Sequence, residues 1–247
     1  MTSAMAREIA EIPEAVARLL EDDATFRAIA GRLAGRSFSF AVICGRGSSG
    51  HVGTYLRYLV ETRLGLAVSL SAPSVVTSYR RQVAMAGALF FVVSQSGRSP
   101  DLIAATEAAG AAGATTVAIV NDAASPVAAA ASLVLPVAAG VEHSIAATKT
   151  VVSSMVACAR LIGDLAADRL LREATSRLPD RLGRARALDW SAWSAALSGA
   201  RAAFVAARGF GLGIAREIAL KLGETMRLPA QGFSAAELRH GPLAAVA

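Results

Sequence analysis

Residues 88–101 read ALFFVVSQSGRSPD, and this stretch decides the fold. It opens on a continuous apolar run rich in Val and Phe, cut off by Ser-Gln-Ser-Gly. A run of that length bounded by Gly and Pro reads as a strand buried on both faces. Pro100 suits the first turn of a helix, and Ser99 suits the N-cap before it. Residues 94–99 are then a tight strand-to-helix loop. It carries the hydroxyls of Ser94, Ser96 and Ser99, the Gln95 amide and the N–H groups freed at a helix start. Such groups, with the helix dipole behind them, favour a phosphate. An ordinary capped turn needs one serine; the hydroxyl density here points to an anion.

The same grammar recurs on both sides of this stretch. Residues 38–44, 66–71, 115–120 and 133–136 read as strands. Residues 51–64, 75–85, 101–112 and 146–165 read as helices, with a short helix opening at Ser125-Pro126. Residues 4–33 read as helix with a break near Pro13. Strands alternating with helices predict the α/β class: a three-layer, doubly wound parallel sheet flanked by helices. Ligands on such a sheet sit at the carboxyl ends of its strands, where the loops at 45–50, 94–99 and 138–149 fall.

The opening pattern returns about 160 residues later. Residues 202–207 read as a strand, Arg208-Gly209-Phe210-Gly211 as a glycine loop and 212–228 as a helix. Residues 40–44, Gly45-Arg46-Gly47 and 51–64 give the same succession. The expected organisation is an N-terminal helical segment (1–33), a first α/β domain (34–166), a helical linker (167–199) and the start of a second domain (200–247). The second copy shows one clear strand, and residues 242–247, PLAAVA, read as the beginning of another. By analogy with the first unit, a full second copy is expected in a chain roughly a third longer.

Composition narrows the partners. The hydrophobic fraction of 54% is ample for a core. The net charge of +6 is carried mostly by arginine, much of it in residues 160–186, which read as helical and solvated. No aromatic-basic interleaving accompanies it, so the expectation is no nucleic acid and a small anionic substrate. Cys44 and Cys158 are too few for a disulfide framework or a zinc site. Residues 123–141 are uncharged but Ala-rich and broken by Pro126 and Pro136, so no membrane span is expected. The N-terminus has early acids and no apolar core of a signal peptide, and a cytoplasmic protein is expected.

Gly45-x-Gly47-x-x-Gly50 after a strand matches the dinucleotide fingerprint literally. That signature also needs an acid at the end of the next strand, where Ser69-Leu70-Ser71-Ala72 offers none. The hydroxyls of Ser48 and Ser49 beside Gly47 suit a single phosphate or sugar oxygens instead, and no cofactor or metal is expected. Glu217, Lys221 and Glu224 fall at i, i+4 and i+7 and share one helix face. A solvated Glu–Lys stripe would look the same. Here the stripe follows a glycine loop and precedes His240, which is fixed by Gly241-Pro242. Carboxylate, amine and imidazole together can move protons at carbon and oxygen.

At these residues the chain resembles the sugar isomerase (SIS) domain proteins, in tandem. CGRGSSGHVGTYLRYLVE (44–61), SQSGRSPDLI (94–103), VEHSIAATKT (141–150) and ALKLGETMRLPAQGFSAAELRHGP (219–242) fall in the family's order. The likeness extends to the isomerase half of glucosamine-6-phosphate synthase, and more to the stand-alone SIS-type glucosamine-6-phosphate deaminases. The resemblance implies a flavodoxin-like fold and assigns Ser49, Ser94, Gln95, Ser96 and Ser99 to the sugar phosphate. It makes Glu224 the base that shuttles a proton between C1 and C2, with Lys221 assisting and Glu217 supporting that face. His240 becomes the ring-opening residue, completing a neighbouring subunit's site in a homodimer. Ala147 stands where the synthase has a sugar-contacting Ser, and Gly223 where Lys is common. The implied reaction is conversion of glucosamine 6-phosphate to fructose 6-phosphate and ammonia. The isomerase module of a glutamine-dependent fructose-6-phosphate aminotransferase is the alternative, and a non-catalytic sugar-phosphate sensor the second.

Overall fold

Ala88–Ser94 is the middle strand of a five-stranded parallel sheet in the structure, a computed structural model that describes residues 3–241. Helices α1 (Ala4–Ala10), α2 (Ile12–Glu21) and α3 (Asp23–Leu33) come first, followed by β1 (Phe40–Cys44), α4 (Ser48–Arg63), β2 (Val68–Leu70) and the single turn α5 (Ser74–Thr77). The central strand, β3, leads into α6 (Pro100–Ala111), β4 (Thr115–Val120), α7 (Pro126–Ala130), β5 (Leu133–Pro136) and the long α8 (Lys149–Leu165). Then come α9 (Arg169–Ser176), α10 (Leu178–Arg186), α11 (Ser191–Ser198), β6 (Ala203–Ala207), α12 (Gly211–Met226), β7 (Ala230–Ser234) and α13 (Ala235–His240).

The strand order is β2-β1-β3-β4-β5, all parallel, with Ile43 opposite Phe91 and Phe91 opposite Val117. This is the flavodoxin-like order, and it reverses between β1 and β3, where such sheets bind ligands. Every residue of β3 is buried. Leu89, Phe91 and Val93 join a core with Leu19 of α2, Phe26 of α3, Leu56 and Leu59 of α4 and Ile162 of α8. The alternate residues Ala88, Phe90 and Val92 join Leu102 and Ala105 of α6 and Val127 of α7. The two-residue period of a strand thus covers both faces with helices. Phe90 and Phe91 are wholly excluded from solvent, each contributing about 2–3 kcal/mol by burial.

Several elements depart from the sequence reading. The helix expected over 75–85 is only α5. The residues after it, Tyr79-Arg80-Arg81-Gln82, offer no apolar stripe to bury, and Arg80 has φ +52°. Helix α4 begins at Ser48 rather than His51, and α8 at Lys149 rather than Ala146. After α11 there are two described strands where the sequence reading gave one: β7 pairs parallel with β6, Phe204 opposite Gln231. Ala-Gln-Gly-Phe-Ser is a weak strand sequence, but α12 crosses so close that a Cβ on Gly232 would lie 2.6 Å from the Arg216 Cα. The arginines at 160–186 are not uniformly solvated. Arg160 pairs with Asp164 at 3.0 Å and with Asp23, and its guanidinium lies 5.3 Å from the Phe26 ring centroid. Leu171, Leu178 and Leu182 also pack on the main core. Residues 242–247, read as the opening of a further strand, lie outside the described residues. No helix among the described residues is long and apolar enough to cross a membrane.

Candidate active site

Two loops meet at the point where the strand order reverses. After β1, Gly47 takes φ +53° and stands at the N-cap of α4, which puts Ser48 and Ser49 in that helix's first turn. After β3, Ser94 is buried and its Oγ accepts the N–H of Gly97 at 3.1 Å. Gly97 has φ +62°, and a Cβ there would lie 2.0 Å from the Ser125 Oγ, so no side chain fits. Ser96 Oγ accepts only a long bond, 3.4 Å, from the Arg98 N–H. Ser99 stands at the N-cap of α6 as expected, yet its hydroxyl makes no capping bond. Arg46 reaches from the first loop to Asp101 in the first turn of α6 at 2.9 Å, and Arg98 pairs with Asp122 beyond β4 at 2.9 Å. Gln95 and Ser96 are exposed and, with Arg98, line an open cavity of about 420 Å³. Asn121, Asp122, Gly140, Val141 and Glu142 form the rest of its lining.

The side chains of Glu217, Lys221 and Glu224 gather where α12 docks on α4. A Cβ on Gly213 would be 2.6 Å from the backbone O of His51, so glycine sets this close approach. Phe210, at the start of α12, packs its ring 6.1 Å from those of Tyr55 and Tyr58 on α4. The face carrying Glu217, Lys221 and Glu224 then meets the first turn of α4. Lys221 Nζ lies 2.6 Å from Glu224 Oε2, 3.2 Å from Glu217 Oε1 and 3.2 Å from Ser48 Oγ. Ser48 Oγ donates to Glu217 Oε1 at 2.9 Å, and His51 Nδ1 lies 2.8 Å from Glu217 Oε2. Burial alone would raise the Glu217 pKa. The His51 hydrogen bond, the Lys221 charge and the Ser48 hydrogen bond outweigh it and hold the carboxyl below its ordinary 4.5. Glu217 is therefore held as an anion beside Lys221, while Glu224, paired with the same Lys221, is exposed.

Glu217, Lys221, Glu224 and Ser48 are thus brought together. Ser48 is turned toward that group rather than toward the serine loop. The hydroxyl of Ser49, half-buried in the same turn, makes no hydrogen bond among the described residues. Ala147 is half-buried in the loop before α8. His240 ends α13, exposed, and its imidazole joins no hydrogen bond or ion pair among the described residues. His51 is a residue that the sequence reading missed. The available signal was its spacing of three from Ser48, which gives the two one helix face. Both cysteines are buried; burial pushes the Cys44 thiol up to about 11 and that of Cys158 higher, so neither is a ready nucleophile.

Residues 40–162 match the family model described as SIS domain. The glutamine–fructose-6-phosphate aminotransferase (isomerizing) of Symbiobacterium thermophilum is 34% identical over 211 residues, which is 81% of this chain and 34% of that protein. The enzyme of the same name from Zymomonas mobilis is 31% identical over 98% of this chain and 42% of its own. The chain therefore spans roughly a third to two fifths of the length of these curated relatives. Among solved structures, a Silicibacter pomeroyi protein provisionally assigned as a phosphosugar isomerase is 44% identical. It superposes with a TM-score of 0.95 over 99% of this chain and 75% of its own. The C-terminal domain of the Francisella tularensis glucosamine-fructose-6-phosphate aminotransferase gives 25% identity and a TM-score of 0.79, covering 100% of this chain and 73% of that one.

Proposed function

The chain belongs to the SIS domain family, and from that premise we infer that it carries the ketose–aldose half of an amino-sugar phosphate reaction. The substrate is a hexose 6-phosphate whose phosphate is held by Ser96, Ser99 and the N–H groups of the β3–α6 loop, with Ser94 shaping that loop. The observation that carries the reading is Lys221 Nζ bridging Glu217 and Glu224 beside Ser48. In the direction of amino-sugar formation, Glu224 takes a proton from C1 of the imine of fructose 6-phosphate. The C1–H electron pair becomes the C1=C2 bond of an enolamine, and the C2=N pair moves to nitrogen, which takes a proton. Glu224 then returns its proton to C2 as the O1–H proton leaves, which gives the aldehyde of glucosamine 6-phosphate. The O1–H proton passes to solvent while Lys221 Nζ donates a hydrogen bond to O1, and Glu217, 3.2 Å from that Nζ, keeps it in place. A second copy of the β-α-β motif, β6-α12-β7, supplies this face. In a homodimer, His240 of one subunit opens the sugar ring in the other.

The sequence reading ranks deamination of glucosamine 6-phosphate first. The named enzymes with sequence likeness are aminotransferases, which favours the isomerase chemistry of that reaction over deamination. The test is solvent-deuterium incorporation at C1 of fructose 6-phosphate and at C2 of glucosamine 6-phosphate, with and without ammonia. Exchange in the parent and a fall of roughly 10²–10⁴-fold in Glu224→Gln are expected. Ammonia release from glucosamine 6-phosphate without glutamine would return deamination to first place. Tight binding with no exchange under any condition would make the protein a sensor and overturn the reading.

A further inference from the structure

Glu8 belongs to α1, in the N-terminal segment to which the sequence reading gives no part in the site, yet it is only 3% exposed. Its Oε1 accepts the backbone N–H of His143 at 2.5 Å, and its Oε2 accepts that of Ser144 at 3.1 Å. A carboxylate is costly to bury, and charge-assisted bonds to main-chain donors offset that cost while fixing the donors in place. Three residues on, Glu11 takes the Nζ of Lys149 at 2.5 Å, and Lys149 is itself 3% exposed. The start of the chain thus grips the segment between β5 and α8 at two points.

The rest of that segment is tied as firmly. The Asn121 amide accepts the Ala139 N–H at 2.9 Å and donates to the Gly140 carbonyl at 2.7 Å. The Glu142 carboxylate accepts the Thr148 N–H at 2.9 Å and its hydroxyl at 3.0 Å, together with the Thr150 hydroxyl. Between these ties, Val141 and Ile145 are exposed apolar residues with no packing of their own to hold them. The loop's position is therefore set by polar anchors. It forms one wall of the cavity whose other wall is Gln95, Ser96 and Arg98 of the serine loop.

We propose that Glu8 is a positioning residue: through the His143 and Ser144 amides it sets residues 140–147 against the serine loop, and so sets the fit of the sugar end of the substrate. The phosphate end, held by the serine loop, does not depend on it. What occupies the cavity rests on the function inferred above; the clamp itself does not.

The experiment compares the parent with Glu8→Gln, which keeps the shape and replaces one acceptor oxygen with a donor, and with Glu8→Asp, which keeps the charge but falls short. Hydrogen exchange is followed at residues 143–148 and across β3. Dissociation constants are measured for fructose 6-phosphate and for inorganic phosphate. In Glu8→Gln, exchange at 143–148 should quicken about tenfold or more while β3 stays protected. Fructose 6-phosphate should bind about tenfold more weakly with inorganic phosphate unchanged, and Glu8→Asp should fall between. If Glu8→Gln does not fold, the Glu8→Asp comparison decides by the same ratio. Unchanged exchange at 143–148 would overturn the clamp. Quickened exchange with equal weakening for both ligands, or for neither, would overturn the positioning role. A parent that binds neither ligand would sink the functional reading and the positioning role with it, while exchange at 143–148 would still decide the clamp.

Discussion

Ser48 on α4 donates a 2.9 Å hydrogen bond to Glu217 on α12, a residue 169 positions later in the chain. The bond joins the first turn of α4 to the Glu217–Lys221–Glu224 face of α12, and with His51 it gives Glu217 two partners from α4. Neither helix holds this group by itself.

This coupling makes stability depend on acid. The Glu217 carboxyl is held below its ordinary 4.5 by its His51, Lys221 and Ser48 partners, against the opposing effect of burial. Its contribution is fully present above pH 4.5 and is lost as pH falls through the depressed folded-state value. Melting temperatures of the parent and Glu217→Gln should differ by a constant amount above pH 4.5, with the parent higher, and the difference should shrink progressively as pH falls below 4.5. Parallel melting curves across that range would show that Glu217 gains nothing from its partners.

The serine loop predicts a separation of binding from stability. Ser99 makes no capping bond, and Ser96 holds only the long one from Arg98. The double variant Ser96→Ala, Ser99→Ala should therefore melt within a few degrees of the parent. Its affinity for fructose 6-phosphate, measured by calorimetry, should fall by about tenfold or more, because hydrogen bonds to a charged group are worth roughly 1.5–3 kcal/mol each. Equal affinity would move the phosphate elsewhere.

Shared sites in a dimer can be tested by complementation. Glu224→Gln and His240→Ala homodimers should each be nearly inactive, and mixed dimers should recover part of the parent's rate because one of the two sites regains both groups. Activity assays on purified heterodimers with distinct tags would check this. No recovery would put His240 in its own subunit's site.

Close approach is the weak point of the interface between α4 and α12. In Gly213→Ala the new Cβ meets the His51 carbonyl at 2.6 Å, and neither backbone can yield alone. A loss of about 1–3 kcal/mol is expected by urea denaturation, as for other overpacked sites. Phe91→Ala, which opens a cavity between β3 and α4, should cost more, about 3–5 kcal/mol.

The central sheet was legible because its strands are the continuous apolar runs of residues buried on both faces. The edges were less so. Residues 75–85 begin with Val75-Val76, which suggests a helix, but Arg80, Arg81 and Gln82 leave nothing to pack, and only one turn forms. β7 was missed because Gln231 and Gly232 have little strand propensity and the strand rests on its pairing with β6. At the site, Glu217, Lys221 and Glu224 were readable because helical period alone gives them one face. His51 was not, since its partner Glu217 lies 166 positions away. Glu8 was unreadable for the same reason: the amides it holds are 135 and 136 positions distant.

The span between Ser48 and Glu217 also has a consequence in time. A ribosome adds about 5–20 residues per second, so α4 leaves it roughly ten to thirty seconds before α12 does. During that interval the five-stranded sheet can close over β3, while Ser48, His51 and the groove that receives Gly213 remain wetted and without partners. The Glu217–Lys221 face thus assembles after the five-stranded sheet. A variant that delays the docking of α12 should lengthen the exposure of Tyr55 and Leu212 to chaperones before it alters the finished protein.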